Sequence, residues 1–365
     1  MSFRTRKSES FRMSAAEKPA ISDLMAQRIL VLEGAMGTMI QAEKLDEAGY
    51  RGGEFPDHSH DLRGNNDLLN LTQPRIIEAI HDVYCAAGSD FIETNTFNAT
   101  TISQSDYNTE YFVHNINVEG ARIARRVADR WTEKTPDKPR YVVGNLGPTN
   151  RTCSISPDVN RPGFRAVTFE EMRKAYHHQA QGLMEGGIDC FAVETVFDTL
   201  NCKAALFALE QLADETGVKL PVMVTGTVTD LTGRNLSGQT VTAFWYAVRH
   251  ANPIAFGLNC GFGAEQLRPF VEELARECEV PLVVYPNAGL PNELGAYDEA
   301  PEMTARLIRE WAEAGWVNIV GGCCGTTPAH IEAIAKAVDG LPPRPVPADR
   351  PRLRLSGLDP FVSAA

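Results

Sequence analysis

The chain has 365 residues, of which 43% are hydrophobic, and its formal net charge at pH 7 is −12. The acidic balance and the lack of a basic block argue against a nucleic-acid partner, and no apolar run approaches the roughly 20 residues of a membrane span. Eight cysteines without a secretory signal indicate reduced thiols and predict a cytoplasmic protein.

The two ends of the chain differ in composition from its middle. Residues 1–20 are polar, carry several Arg and Lys residues and lack an apolar signal core, which favours a disordered leader. Glu9 and Glu17 weaken the alternative of an organelle transit peptide. Residues 341–365 hold six prolines without hydrophobic periodicity and predict a linker or docking tail. The folded domain is therefore expected over residues 21–340.

Between these ends, short β-rich runs alternate with longer helical stretches. This alternation is typical of parallel strands joined by crossover helices. Eight such units predict an α/β fold of the (β/α)8 TIM-barrel type, with the functional side chains at the C-terminal ends of the strands. The predicted strands are residues 29–33, 90–94, 141–145, 190–194, 221–225, 254–259, 282–285 and 317–320.

Two stretches, residues 42–70 and 148–167, are longer than ordinary connections. Long loops in a compact domain are usually functional, and these two are predicted to be lids over the barrel mouth. Irregular packing over the barrel flank is the alternative.

Three cysteines follow predicted strands six and eight. Cys260 stands in a glycine-bearing turn, and the adjacent pair Cys323 and Cys324 stands in another. Neighbouring cysteines rarely form a disulfide, whereas three thiolates suit zinc and leave a fourth position for water or substrate. The alternative is three unrelated buried cysteines, and the spacing resembles no zinc finger. Their common place at the barrel mouth favours the metal site.

Seven short motifs occur in order, at residues 33–38, 93–97, 146–149, 194–199, 257–260, 287–291 and 321–328. Together they resemble the homocysteine-binding module of cobalamin-dependent methionine synthase, from about residue 29 to residue 340. The resemblance implies a homocysteine S-methyltransferase in which Cys260, Cys323 and Cys324 hold a zinc ion that binds the homocysteine sulfur. The family enzymes continue into folate- and cobalamin-binding modules. We therefore expect a split subunit or excised module whose methyl group comes from methylcobalamin on a separate partner.

The carboxylate and the ammonium group of homocysteine each require protein groups that bind them. Backbone N–H groups of the turn after strand one could hold the carboxylate, although a bare glycine turn is the alternative. Glu194 could bind the ammonium or instead serve as a cap, and Asn287 could approach the zinc or simply form a turn. The family commonly has Asp where this chain has Glu33. The predicted substrate contacts are Glu33, Gly34, Ala35, Met36, Gly37, Thr38, Glu194 and Asn287.

Other functions remain open at this point. One is a self-sufficient methyltransferase that uses betaine or S-methylmethionine, and another is a zinc-binding interaction module without catalysis. A thiol redox protein is disfavoured, because a three-cysteine metal site leaves no Cys-x-x-Cys dithiol. No general base is assigned, and His177 and His178 are expected on a helix surface, since consecutive helical residues do not share a face.

Overall fold

A computed structural model of the protein describes residues 18–349 and 351–363. The predicted leader therefore lies outside the described residues as far as residue 17. Its last residues contact the barrel: Lys18 donates a hydrogen bond to the Arg140 carbonyl at 2.9 Å, and the Tyr141 hydroxyl donates one to the Pro19 carbonyl at 2.6 Å.

Eight parallel strands form one sheet in the order β1-β8-β7-β6-β5-β4-β3-β2. A parallel bridge between Leu32 and Phe91 joins the two outer strands, and the Asp90 N–H donates to the Val31 carbonyl at 2.7 Å. The sheet thus closes on itself, and the predicted TIM barrel is confirmed. The strands are β1 (Leu30–Val31), β2 (Phe91–Glu93), β3 (Tyr141–Leu146), β4 (Cys190–Val196), β5 (Val222–Gly226), β6 (Ala255–Gly263), β7 (Leu282–Asn287) and β8 (Ile319–Val320).

Helices surround the barrel, and every strand of the barrel is followed by at least one helix before the next strand begins. The helices are α1 (Ile21–Gln27), α2 (Met36–Ala42), α3 (Glu47–Arg51), α4 (Leu69–Thr72), α5 (Pro74–Ala87), α6 (Thr101–Gln104), α7 (Val113–Lys134), α8 (Phe169–Gly186), α9 (Thr199–Thr216), α10 (Val241–Val248), α11 (Ala264–Glu277), α12 (Pro301–Glu313) and α13 (Pro328–Val338). Within the described part of the chain, none of the helices has the length and apolar composition that a bilayer span requires.

The alternation of side chains along each strand divides the core into two layers. Successive strand residues point to opposite faces, so every second residue enters the barrel. In β2, Phe91 packs in the interior cluster and Ile92 packs in the shell beneath the helices. Helix α1 closes the bottom of the barrel with Ile21, Leu24 and Met25, which belong to the interior cluster.

Strands β3 to β7 all run beyond their predicted ends, and two of them, β4 and β6, change register there. The pairing of β4 shifts between Val193 and Val196, and the pairing of β6 shifts between Asn259 and Gly263. Thr195 and Cys260 have φ values of +54° and +57° at these irregularities. Such bulges bend a strand and redirect its side chains, which a pattern of strict alternation does not reveal.

The two long loops differ in their relation to the barrel mouth. The first, residues 42–70, contains short helices, and its Asn66 and Asp67 line the central cavity. The second, residues 148–167, is tied to the start of α9, where Asp198 accepts hydrogen bonds from the N–H and hydroxyl of Ser154 at 2.9 and 2.7 Å. The first loop therefore borders the cavity, and the second is anchored beside it.

The proline-rich segment after residue 340 lies against the barrel. Arg344 is buried and donates hydrogen bonds to the carbonyl groups of Ala275, Cys278 and Val280 at the end of α11. An antiparallel pair, β9 (Arg354–Ser356) and β10 (Pro360–Val362), then packs on α10. The Thr240 N–H, at the start of α10, donates to the Leu358 carbonyl at 3.0 Å.

Candidate metal and substrate site

Three thiols meet at the C-terminal face of the barrel. Cys260 lies near the end of β6, and Cys323 and Cys324 lie in the turn between β8 and α13. Their Sγ atoms all lie within 4.8 Å of one another, and the Cys260 and Cys324 Sγ atoms are 3.7 Å apart. Tetrahedral zinc with Zn–S bonds of about 2.3 Å separates its sulfur ligands by about 3.8 Å. The donor set therefore fits zinc in both chemistry and spacing.

The local backbone explains how the thiols come together. The left-handed conformation of Cys260 is rare for a residue with a side chain, and Gly261 follows with φ of +70°. A side chain at Gly261 would collide with the carbonyl oxygen of Val228. The other turn is held to β7, because the Cys323 N–H donates to the Pro286 carbonyl at 2.7 Å. The left-handed turn at Cys260 and the turn anchored at Cys323 thus bring the three sulfur atoms close together.

The pKa values of the thiols are shifted in different directions. Hydrogen bonds from Cys260 and Cys323 lower the pKa of Cys324 to about 3, and hydrogen bonding to the other two thiols raises the pKa of Cys323 well above its ordinary value. Tyr297, from the loop after β7, also hydrogen-bonds Cys324, and burial raises the pKa of Tyr297 to about 12. Binding of a metal ion to such a cluster would release the remaining thiol protons.

A cavity of about 630 Å³ opens at the barrel mouth next to the thiols. Among the described residues that line it there is no Lys or Arg. Asn287 is not among the lining residues; it is buried, and its Oδ1 has no hydrogen-bond partner among the described residues. The predicted site residues that line the cavity are Glu33, Gly34, Ala35, Met36, Gly37, Thr38, Glu194, Cys260, Cys323 and Cys324.

The turn after β1 is fastened to the cysteine turn. A Cβ at Gly34 would lie 2.8 Å from the Tyr84 ring and 2.9 Å from the Thr326 hydroxyl, so only glycine fits there. The Ala35 N–H donates to Thr326 Oγ1 at 3.2 Å and is therefore already used. Gly37 and Thr38 stand in the first turn of α2, where backbone N–H groups have no partner within the helix. Both residues line the cavity.

Glu194 is held by side chains of two other strands, β3 and β7. Its Oε1 accepts a hydrogen bond from Asn145 Nδ2 at 2.6 Å, and its Oε2 accepts one from the Tyr285 hydroxyl at 2.7 Å. Burial raises the pKa of Glu194 to about 7, although both hydrogen bonds oppose that shift. The result is a preoriented carboxyl group that a cationic ligand would ionise.

Glu33 is already engaged by other groups. Its Oε2 lies 3.2 Å from His81 Nδ1 on α5, and its Oε1 accepts a hydrogen bond from the Glu93 N–H at 3.0 Å. Burial raises the pKa of Glu33, and His81 opposes that effect. The carboxyl group therefore ties the end of β1 to α5 and β2 in the wall of the cavity.

Several cavity residues were not predicted from the sequence. Glu93, Asn145 and Tyr285 line the cavity beside Glu194, and Tyr297 covers the thiols from the β7 loop. The first three stand two residues beyond buried interior residues of β2, β3 and β7. Strand alternation could have identified these three, whereas nothing in the local sequence marks Tyr297.

The two adjacent histidines lie away from the cavity, on α8. His177 Nε2 is 2.8 Å from Glu215, and the His178 ring stacks on His114 with ring centroids 5.9 Å apart. Within residues 18–349 and 351–363, the three cysteines form the only group of three or more side chains placed to share a metal ion.

Comparison with known proteins agrees with this arrangement. Residues 30–338 match the homocysteine S-methyltransferase family. The fold is similar to that of the homocysteine methyltransferase MmuM from Escherichia coli in its metallated form, with a TM-score of 0.67 and 22% identity, covering 87% of this chain and 98% of that one. The apo form of MmuM matches over the same shares of the two chains, with a TM-score of 0.62 and 21% identity.

The family match spans the whole barrel, from β1 to the end of α13. It includes both cysteine turns and the turn after β1 that lines the cavity. The chain therefore belongs to the homocysteine S-methyltransferase family and is a methyltransferase.

Proposed function

We propose that the protein is a zinc-dependent homocysteine S-methyltransferase whose metal ion is held by Cys260, Cys323 and Cys324. The observation that carries the proposal is that these three thiols lie within 4.8 Å of one another, with the Cys260 and Cys324 Sγ atoms 3.7 Å apart, at the edge of a cavity of about 630 Å³. A zinc ion with three thiolate ligands has a fourth position for a substrate thiol, whose pKa it lowers. Because the ligands must stay reduced, the proposal includes a reducing, cytoplasmic location.

The chain's own residues orient the substrate. Glu194 lines a cavity whose described lining residues include no Lys or Arg, so its carboxyl group suits the ammonium group of homocysteine. The N–H groups of Gly37 and Thr38 suit its carboxylate, because the start of a helix favours negative charge. Asn145 and Tyr285 hold the Glu194 carboxyl group in place.

Methyl transfer requires ionised sulfur and close alignment. The substrate thiol loses its proton to solvent, a sulfur lone pair then forms a bond to the methyl carbon, and the bond between that carbon and the donor breaks. Complete ionisation of a thiol with a pKa of about 8.5 gains only roughly thirtyfold at pH 7, or about 2 kcal/mol. Positioning by the cavity residues must therefore supply much of the remaining acceleration.

The favoured methyl donor is methylcobalamin carried by a separate folate- and cobalamin-binding methionine synthase subunit. Such a donor would have to approach the thiols through the open barrel mouth. The loops that follow β3, β5 and β7 surround this mouth and expose large apolar side chains, which suit contact with another protein. These side chains are Val159, Leu231, Leu236, Leu290 and Leu294.

The decisive experiment is an assay of the zinc-loaded protein with homocysteine and each donor in turn. We expect methionine formation with methylcobalamin bound to its partner subunit, and slower formation with free methylcobalamin, since a docked cofactor is better oriented. Efficient turnover of betaine or S-methylmethionine by this chain alone would instead identify a self-sufficient enzyme. Zinc binding without turnover of any donor would identify a non-catalytic module.

A further inference from the structure

Two residues at the barrel mouth have a left-handed backbone, and they lie on strands that are not neighbours. They are Thr195 in β4 and Cys260 in β6, which both line the cavity and are separated by β5. A β-branched residue such as Thr195 rarely adopts this conformation, and it does so only where the surrounding structure holds it. Thr195 therefore requires a restraint from outside its own strand.

The side chain of Asn259 supplies this restraint. The Thr195 N–H donates a hydrogen bond to Asn259 Oδ1 at 2.9 Å, and Asn259 Nδ2 donates one to Thr195 Oγ1 at 2.7 Å. The first bond satisfies a backbone N–H that lies where the pairing of β4 with β5 shifts register, between Val193 and Val196. Asn259 is only 1% exposed, so water does not replace these bonds readily.

A second set of contacts joins Asn259 to Glu194. The Thr225 hydroxyl on β5 donates to Asn259 Oδ1 at 2.8 Å and lies 2.9 Å from the Tyr285 hydroxyl, which donates to Glu194. All four of these residues are buried. Buried polar networks favour one arrangement of their members, and this one links the end of β6 to the carboxyl group of Glu194.

We infer that Asn259 is a positioning residue that selects the chain length of the aminothiol substrate. Asn259 directly precedes Cys260, and its partner Thr195 directly follows Glu194. One carboxamide group thus fixes the separation between the proposed zinc site and the carboxyl group proposed to bind the ammonium.

This separation distinguishes homocysteine from its shorter homologue. Homocysteine has one methylene more than cysteine between the carbon that bears the ammonium and the sulfur. A fixed separation suits one of these lengths and disfavours the other. The inference rests on the proposed function and deepens it, because it names the residue that makes the site prefer homocysteine to cysteine.

The test compares L-homocysteine and L-cysteine as ligands of the zinc-loaded protein by titration calorimetry. We expect the wild type to prefer homocysteine by at least about tenfold, as one methylene allows, and Asn259→Ala to prefer it by less than about threefold. Adding Thr195→Gly to Asn259→Ala should restore part of the preference, because glycine adopts the left-handed conformation without a restraint.

A second variant serves where Asn259→Ala is too unstable to purify. Thr225→Val keeps the side-chain volume but removes the hydroxyl that donates to Asn259 Oδ1. We expect its preference for homocysteine to lie between those of the wild type and Asn259→Ala. Metal analysis after each titration distinguishes binding of a thiol from extraction of zinc by that thiol.

The matched control is Asn117→Ala on α7. Asn117 is fully buried, and its Nδ2 donates to the Ala99 and Val113 carbonyls at 2.8 and 2.7 Å, but it is not among the residues that line the cavity. Its replacement should lower stability and leave the preference unchanged. The preference is a ratio of two affinities measured on one preparation, so it does not depend on how much of the sample is folded.

Equal weakening of both thiols in Asn259→Ala would overturn the inference, and so would an unchanged preference in Asn259→Ala or, where only that variant folds, in Thr225→Val. If the wild type binds both thiols equally well, the inference fails while the proposed function stands. If the zinc-loaded wild type binds neither thiol, both fail.

Discussion

The lower part of the barrel interior, called the floor here, and the barrel mouth are built by the same strands but have different functions. On the floor, the inward side chains are apolar, as at Phe91, Val143 and Ala192. Two residues further along the same strands they become Glu93, Asn145 and Glu194, which line the cavity. One step of the strand pleat thus separates residues that stabilise the fold from residues placed to bind a ligand, in agreement with the general location of TIM-barrel active sites.

The largest effect is expected from removing a thiol at the mouth. The Cys324→Ser variant should lose most of its bound zinc, and its rate of methyl transfer should fall more than about a hundredfold. A residue that binds the metal directly contributes more than residues that only hydrogen-bond to a ligand. Cys260→Ser and Cys323→Ser should behave alike. Metal analysis of the purified variants checks this.

Cys153→Ser is the control for this substitution, because Cys153 is buried in the second long loop and outside the thiol cluster. It should keep its zinc. Full zinc content and activity in all three mouth variants would contradict the metal assignment.

A substitution on the floor should lower the stability of the fold but leave zinc binding intact. Phe91→Ala removes a fully buried ring and should lower the free energy of unfolding by about 3–5 kcal/mol. The folded fraction should still bind zinc, because the thiols lie at the other end of the barrel. Urea unfolding with metal analysis of the folded protein checks both points. Tyr111→Ala, at a residue that is 84% exposed, should change the stability by less than about 0.5 kcal/mol.

Asp67 at the cavity wall should make stability depend on pH. Burial raises the pKa of Asp67 to about 7 from 3.8. Between these values the folded state holds a proton that the unfolded state has lost, so this group lowers stability as pH rises from about 4 to 7, by up to ~4 kcal/mol. Asp67→Asn should flatten this part of the curve of unfolding free energy against pH. An unchanged slope would show that Asp67 titrates normally.

The smallest of these effects is expected for Glu194→Gln. The variant should keep its zinc but bind homocysteine about ten- to a hundredfold more weakly, equivalent to ~1.5–3 kcal/mol for a charged hydrogen bond. Calorimetric titration with homocysteine checks this, alongside Glu119→Gln as an exposed control. Normal affinity would make Glu194 a structural residue.

The barrel itself could be predicted because its evidence is local. Each strand shows a short β-rich run and each connection a helical pattern, and the chirality of parallel connections leaves few ways to assemble eight such units. The position of the three cysteines after strands six and eight follows from the same reasoning, since the C-terminal ends of all strands share one face. The order of the seven motifs then indicated the family and, through it, the substrate.

Other features depend on residues far apart in the chain. Glu33 is the last residue of one predicted strand and Glu93 the last but one of another, yet only the Glu33 carboxyl group reaches His81 on α5. Tyr297 reaches Cys324 from a separate loop, and Arg344 caps α11 from the proline-rich end. The left-handed turn at Cys260 follows from a shift in strand register. Periodicity specifies which residues are buried, but the partner of a buried polar group is chosen by packing between elements that are not neighbours in sequence.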